Sequence, residues 1–238
     1  IMFKNIIKNI KLKFYFLRHK FYRLFWTKKQ IEMEAQRKRA KDMASPQIRD
    51  KVNDYFNKFR FLQEIIKITG INDNSEILDI GCGIKTVLHF LPGKTKTGVD
   101  SLADEYVKIY DYPKDIKIEK SFGENLKFKD NSFDVVFMTN ALDHTKNPQK
   151  VVSEIFRVLK PRGYFALTNE LVKKDFKRDR AHPNNLQEQD ISELLFGKFN
   201  IVFKRFSAWF GLRQYYLGLL KEEDFKNNNQ IIILAKKI

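Results

Sequence analysis

One cysteine, Cys82, occurs in 238 residues, which excludes an intrachain disulfide and any metal site built from thiolates alone. A reducing, cytoplasmic setting is the simplest expectation from that usage. Long uncharged runs are missing from the N-terminal region. Lys4, Lys8, Lys11, Lys13, Arg18, Lys20 and Arg23 interrupt every apolar stretch, so it is expected to form neither a signal peptide nor a membrane span. Acid is absent before Glu32. Residues 1–60 carry 17 Lys and Arg against 5 Asp and Glu, so most of the net charge of +16 sits in the first quarter of the chain. Such an arm seeks polyanions, a membrane surface or nucleic acid. There is no internal repeat and no low-complexity tract beyond three asparagines at 227–229. With 43% hydrophobic and 31% charged residues the chain is globular, and its length accommodates one main domain plus a helical attachment.

Phe3, Ile7, Ile10, Phe14, Leu17, Phe21 and Leu24 recur at steps of four and three, which lays an apolar stripe along one helix face. A second, mostly charged helix is predicted over 29–43. Ser45-Pro46 then reads as a cap and first turn of a third helix that runs to Thr69 and stops at Gly70. These helices form a basic extension over 1–69, and a second unit occupies 70–238. From Ile77 onward short apolar runs ("EILDIG", "TKTGVD", "IKIEK", "SFDVVFM", "GYFALTN") alternate with helical spacing, which implies a parallel sheet covered by helices on both faces. "FNIVFKRF" and "QIIILAKK", separated by an insertion over 207–225, read as an antiparallel pair at the sheet edge.

In such a sheet ligands settle beyond the carboxyl ends of the strands, where Gly81 and Gly83 follow the first strand. The glycines permit a tight turn and a close backbone approach, although close helix–strand packing also selects glycine. A dinucleotide fingerprint needs a third glycine, and Thr86 stands at that position. Asp79 just before the turn repels a pyrophosphate and attracts an ammonium group, which argues for a zwitterionic ligand. Asp100 ends "TGVD" at a strand end, where a carboxylate accepts both hydroxyls of a ribose or caps the next helix.

"ILDIGCG", "GVDS", "GENLKFKDNSFDVVFMTNALDH" and "VVSEIFRVLKPRGYFAL" together resemble the class I S-adenosylmethionine-dependent methyltransferases, in their order and spacing over about residues 76–170. The resemblance implies an α/β fold, a Rossmann-like three-layer sandwich with a mostly parallel seven-stranded sheet and an antiparallel edge strand. It implies S-adenosylmethionine as cofactor, with Asp79, Gly81, Cys82 and Gly83 at its methionine end and Asp100, Ser101 and Leu102 at its ribose. Where the family usually has an acid for the adenine amino group, this chain has Phe122. Backbone groups of Ser121 to Gly123 with stacking, or Glu124, are the two alternatives. Lys85 and Arg162 also depart from the family, which usually has glycine at both; Lys85 near a cofactor with a net positive sulfonium is mildly unfavourable unless its flexible stem carries the ammonium to solvent.

Asn140 and Ala141 are implied beside the cofactor, and His144, Glu170 and His182 are the candidates for the acceptor side; Asp143 is expected to be exposed. A sulfonium methyl is already activated, so transfer needs no metal and none is expected. A hydroxyl acceptor must lose a proton, and a histidine can take it. The resemblance thus implies methylation of a small-molecule or lipid- or sugar-linked acceptor. The different-class alternative is an inactive scaffold with this fold. For the arm over residues 1–30, three uses follow from its stripe and charge: an anionic membrane at the inner face, packing or homodimerisation, and RNA.

Overall fold

A computed structural model describes residues 27–172, 174–175, 180–207 and 229–238. The stripe Phe3–Leu24, most of the aromatic insertion and part of the polar segment before it lie outside the described residues. Three helices come first: α1 (Lys28–Met43), α2 (Pro46–Arg60) and α3 (Leu62–Thr69). Then follow β1 (Glu76–Ile80), β2 (Thr95–Asp100), α4 (Ala103–Tyr106), β3 (Ile116–Lys120) and β4 (Phe133–Thr139). The chain continues through α5 (Pro148–Val158), β5 (Leu159–Glu170), α6 (Glu188–Leu195), β6 (Phe199–Ser207) and β7 (Gln230–Lys237). Single 3-10 turns lie at Val87–Phe90 and Leu142–His144.

The seven strands form one sheet in the order β3-β2-β1-β4-β5-β7-β6. β1 to β5 are parallel, and β7 runs antiparallel between β5 and the edge strand β6. This is the Rossmann-like sandwich the sequence implies. Strand order reverses direction at β1, between β2 and β4, and that is where a doubly wound sheet opens a ligand crevice. Alternation along β1 divides the core. Leu78 and Ile80 face Val151, Val152 and Ile155 of α5 together with Ile191 and Leu195 of α6. Ile77 joins the opposite layer with Met33, Met43, Val52, Phe56, Leu62 and Ile65 from the three leading helices. Residues from both sides of position 69 therefore share one core. Among the described residues no helix is long and apolar enough to cross a membrane.

The helix predicted to run unbroken to Thr69 is instead divided at Phe61, whose φ of 53° lies in the left-handed region. Gly70 caps α3 as expected, with a φ of 70°. Nothing local announces the break, since left-handed residues are usually Gly or Asn; Phe61 is held there by its packing on the helical side of the core. Lys85 is accommodated by an ion pair. Its side chain is 7% exposed and its Nζ lies 2.9 Å from Asp42 on α1, so the ammonium is paired inside the protein rather than carried to solvent.

Arg162 is exposed and has a φ of 64°. A non-glycine residue costs about 1–2 kcal/mol there, and glycine returns about 0.5–1 kcal/mol of that as chain entropy. Arg162→Gly is therefore expected to raise the melting temperature by about 1–4 °C. An unchanged or lower value in a thermal melt would show that the strain is absent.

Candidate functional site

A cavity of about 390 Å³ opens over the carboxyl ends of β1, β2 and β4, roofed by α1 and α2. That volume falls within the range of about 300–1,000 Å³ that ligand pockets occupy. Its floor is the bend after β1. Gly81 has a φ of 68°, and a Cβ there would lie 2.4 Å from Cβ of Ala141, so only glycine lets the β1 and β4 ends approach this closely. The Gly81 amide donates to Val99 O at 2.8 Å, which ties the bend to β2.

Asp79 is 1% exposed. Its Oδ2 accepts from the Thr86 hydroxyl at 2.6 Å, while Oδ1 has no partner among the described residues. Burial pushes this carboxyl up to about 7; Thr86 and the Val87 amide oppose that rise, and nearby Asp100 adds to it. Asp100 accepts from the Gly83 amide at 3.3 Å and the Leu102 amide at 3.0 Å. Burial raises it too, against those amides and the Tyr106 hydroxyl. Cys82 is buried between the two acids, and desolvation with their charges lifts its thiol well above the usual range, so it stays protonated.

Arg60, at the end of α2, is 3% exposed and lines the same cavity. It donates to the Phe59 carbonyl at 3.0 Å and to the Tyr55 hydroxyl, and its Nε has no partner among the described residues. Burial lowers its pKa, partly offset by Tyr55. No carboxylate pairs with it among the described residues. A buried guanidinium without an anion is costly, and the cost is recovered when a ligand carboxylate arrives.

The roof shows how α1 holds its place despite few apolar residues. Thr27 and Gln30 form a reciprocal cap at its start. Lys28, Glu32, Gln36 and Arg39 recur at steps of four, four and three, which places them on one face, and all four line the cavity. Gln36 accepts from the Ile84 amide at 3.0 Å. Glu32 lies 2.6 Å from Nδ1 of His144, and Lys28 donates to the His144 carbonyl. Burial alone would raise the Glu32 carboxyl, but His144, Arg39 and His182 bring it below its ordinary value. The ionised carboxylate accepts, so Nδ1 is the donor of this bond and Nε2 is the ring nitrogen outside it.

Asp79, Gly81, Cys82, Asp100, Ser101, Leu102, Phe122, Gly123, Glu124, Asn140, Ala141 and His144 all line this one cavity, and Gly83 adjoins it through Asp100. Phe122 is 56% exposed, an aromatic face left open at the cavity mouth. Glu124 accepts from the Lys146 and Asn147 amides at 2.7 and 3.2 Å, so its carboxylate pins the loop before α5. Asn140 has a φ of 48° and accepts from Gln230 at 2.6 Å. Asp143 is 2% exposed rather than solvated, a correction that follows from the loop folding back under Asn184. His182 does not line the cavity; it lies on a neighbouring open depression, its ring 4.1 Å from that of His144. Glu170 lies at the β5 end opposite Gln230 and outside the cavity lining. Tyr55, Arg60 and the α1 face were not singled out from the sequence. Neither had a local signal: α1 is polar on every side, and Arg60 is a single basic residue near a helix end.

The fold and site define a class of protein: a doubly wound sheet whose crevice suits a nucleoside bearing a zwitterionic tail, with a carboxylate atom and a guanidinium still unpaired. Residues 78–167 match the family model described as a methyltransferase domain. Sterol 24-C-methyltransferase ERG6A of Gibberella zeae is 29% identical over 131 residues, covering 51% of this chain and 33% of the relative. The Kluyveromyces lactis sterol 24-C-methyltransferase is 34% identical over 126 residues, covering 49% and 33%. The matches span about a third of the length of these curated relatives. The fold is also that of an S-adenosylmethionine-dependent methyltransferase from Mesorhizobium loti, with a TM-score of 0.54 at 16% identity over 70% of this chain and 92% of that one. The matched stretch, residues 78–167, is a methyltransferase domain, and it lies in a fold shared with S-adenosylmethionine-dependent methyltransferases; the cofactor that this implies is S-adenosylmethionine. The unpartnered Asp79 Oδ1, the unpaired Arg60 and the cradle at Gly81 fit it.

Proposed function

We propose that this protein transfers a methyl group from S-adenosylmethionine to an oxygen or nitrogen of a small-molecule or lipid- or sugar-linked acceptor. The observation that carries the reading is the pairing in one cavity of an unsatisfied buried carboxylate oxygen with an uncompensated buried guanidinium. Asp79 takes the ammonium of the cofactor, Arg60 its carboxylate, Asp100 the ribose hydroxyls, and the open face of Phe122 stacks on the adenine. When bound, the cofactor supplies a methyl group already activated by sulfonium charge. The protein's remaining work is to orient the acceptor and exclude water, which the α1 roof does. On the acceptor side, Glu32 fixes the His144 ring so that its Nε2 lone pair is available to assist loss of an acceptor proton.

The relatives are named for sterol methylation, which supports a lipid acceptor without fixing one. The test is incubation of the purified protein with methyl-labelled S-adenosylmethionine and separate aqueous and lipid extracts. Label should appear in a product of one extract only when protein is present. Tight binding of S-adenosylhomocysteine with no labelled product from either extract would instead favour a scaffold that has kept the fold. The basic arm is assigned to an anionic membrane surface at the cytoplasmic face. Deleting residues 1–26 is expected to abolish flotation with anionic liposomes while S-adenosylhomocysteine affinity holds; equal flotation would remove that assignment.

A further inference from the structure

The geometry points to a divalent transition-metal site formed by Asp143, His144 and His182 at the rim of the cofactor cavity. One ligand atom from each side chain lies within 4.8 Å of the other two. Nε2 of His144 and Oδ1 of Asp143 are 3.9 Å apart, too far for a hydrogen bond. An ion about 2.0–2.2 Å from each of two ligands holds them no more than roughly 4.2 Å apart, so this pair already fits and the widest gap closes with about half an ångström of side-chain movement.

Three further features separate the cluster from a chance grouping. Glu32 engages Nδ1 of His144 at 2.6 Å, which leaves Nε2 as the ligand and supplies the carboxylate that commonly backs a metal-bound histidine. The two loops that carry the ligands are tied to each other: the Asn184 amide donates to Asp143 O at 3.3 Å, and its side chain donates to Thr145 O at 2.7 Å. The cluster also stands between two openings, since His144 lines the cofactor cavity and His182 lines the open depression of about 810 Å³ beside it. An ion there reaches both spaces.

Two imidazoles and one carboxylate leave coordination positions open, as in catalytic rather than structural sites, and favour Zn²⁺, Fe²⁺ or Co²⁺ over Mg²⁺ or Ca²⁺. The site stands on the cluster alone; its use rests on the methyl-transfer reading. With the ion bound, Nε2 of His144 is a ligand and no longer a base; an acceptor hydroxyl that enters from the depression binds the ion in its stead and releases its proton to solvent at a lower pH than it would in water, as metal-bound water does. This departs from the expectation, drawn from the sequence, that the transfer needs no metal.

The test uses the full chain without a polyhistidine tag, treated with chelator and then titrated with Zn²⁺ by calorimetry and with Co²⁺ by visible absorption. S-Adenosylhomocysteine binding is measured on the same samples. One equivalent of Zn²⁺ should bind with micromolar or tighter affinity, with Co²⁺ bands characteristic of nitrogen and oxygen ligation. Asp143→Asn and His182→Gln should remove saturable binding, and Glu32→Gln should weaken it about 10–100-fold. His182→Gln lies outside the cofactor cavity and should still bind S-adenosylhomocysteine, which shows that it is folded. No saturable Zn²⁺ binding at millimolar concentration, or binding unchanged in His182→Gln, would overturn the site. Zn²⁺ binding by a wild-type protein that fails to bind S-adenosylhomocysteine would overturn the methyl-transfer reading and leave the site standing.

Discussion

Replacing Asp79 with asparagine is expected to stabilise the ligand-free protein at pH 8 while weakening S-adenosylhomocysteine about ten- to hundredfold, the loss of one charge-assisted bond. Both effects come from one buried carboxyl. Its value of about 7 in the folded protein stands above the ordinary 3.8, so the folded state binds a proton more tightly than the unfolded chain. Its contribution to stability is therefore full below about pH 4, fades as pH rises, and is lost by about pH 7. Asparagine keeps the shape and removes that loss. Thermal melts of the two proteins should agree near pH 4 and diverge toward pH 8, the variant melting higher. Binding runs the other way. The ligand's ammonium needs the ionised form, so wild-type affinity should climb by up to about tenfold per pH unit below 7 and level off above it. A flat binding profile, or a variant less stable at pH 8, would show that Asp79 does not hold a cation.

Arg60→Met is the second large effect. The guanidinium is buried against Tyr55 without an anion, so an apolar side chain of similar length should leave the ligand-free protein at least as stable. S-Adenosylhomocysteine should weaken about ten- to hundredfold, because a bond between a carboxylate and a buried guanidinium is among the stronger ones. 5′-Methylthioadenosine shares the nucleoside but lacks the amino-acid tail. It should bind wild type and variant alike, so the wild type's preference between the two ligands collapses. An equal loss for both ligands would place the role of Arg60 in the shape of the roof, not in reading the tail.

The parts of this molecule that were legible in its sequence are those in which sequence neighbours are also spatial neighbours. Asp79, the Gly81–Gly83 bend and Asp100 sit at strand ends whose apolar runs mark them, and the parallel register of β1 and β2 then brings the two acids together. The stretch "TVLHFL" has helical spacing, yet Pro92 and Gly93 follow so soon that only one 3-10 turn forms at Val87–Phe90. What stayed hidden depends on distant pairing. Asp42 meets Lys85 across 43 positions, and Glu32 meets His144 across 112. A helix as polar as α1 gives little sign of which face it buries, because polar side chains dock it. The division at Phe61, which turns Arg60 into the cavity, was hidden for the same reason. The residue that adopts the left-handed conformation is an aromatic held by the core, where a glycine would have announced it.

A crystal structure of the complex with S-adenosylhomocysteine tests the assignment most directly. It should show the ligand ammonium within hydrogen-bond distance of Asp79 Oδ1, both ribose hydroxyls on Asp100 and the carboxylate on Arg60. A nucleoside lodged outside the crevice between β1 and β4, or with its tail turned away from Asp79 and Arg60, would contradict it.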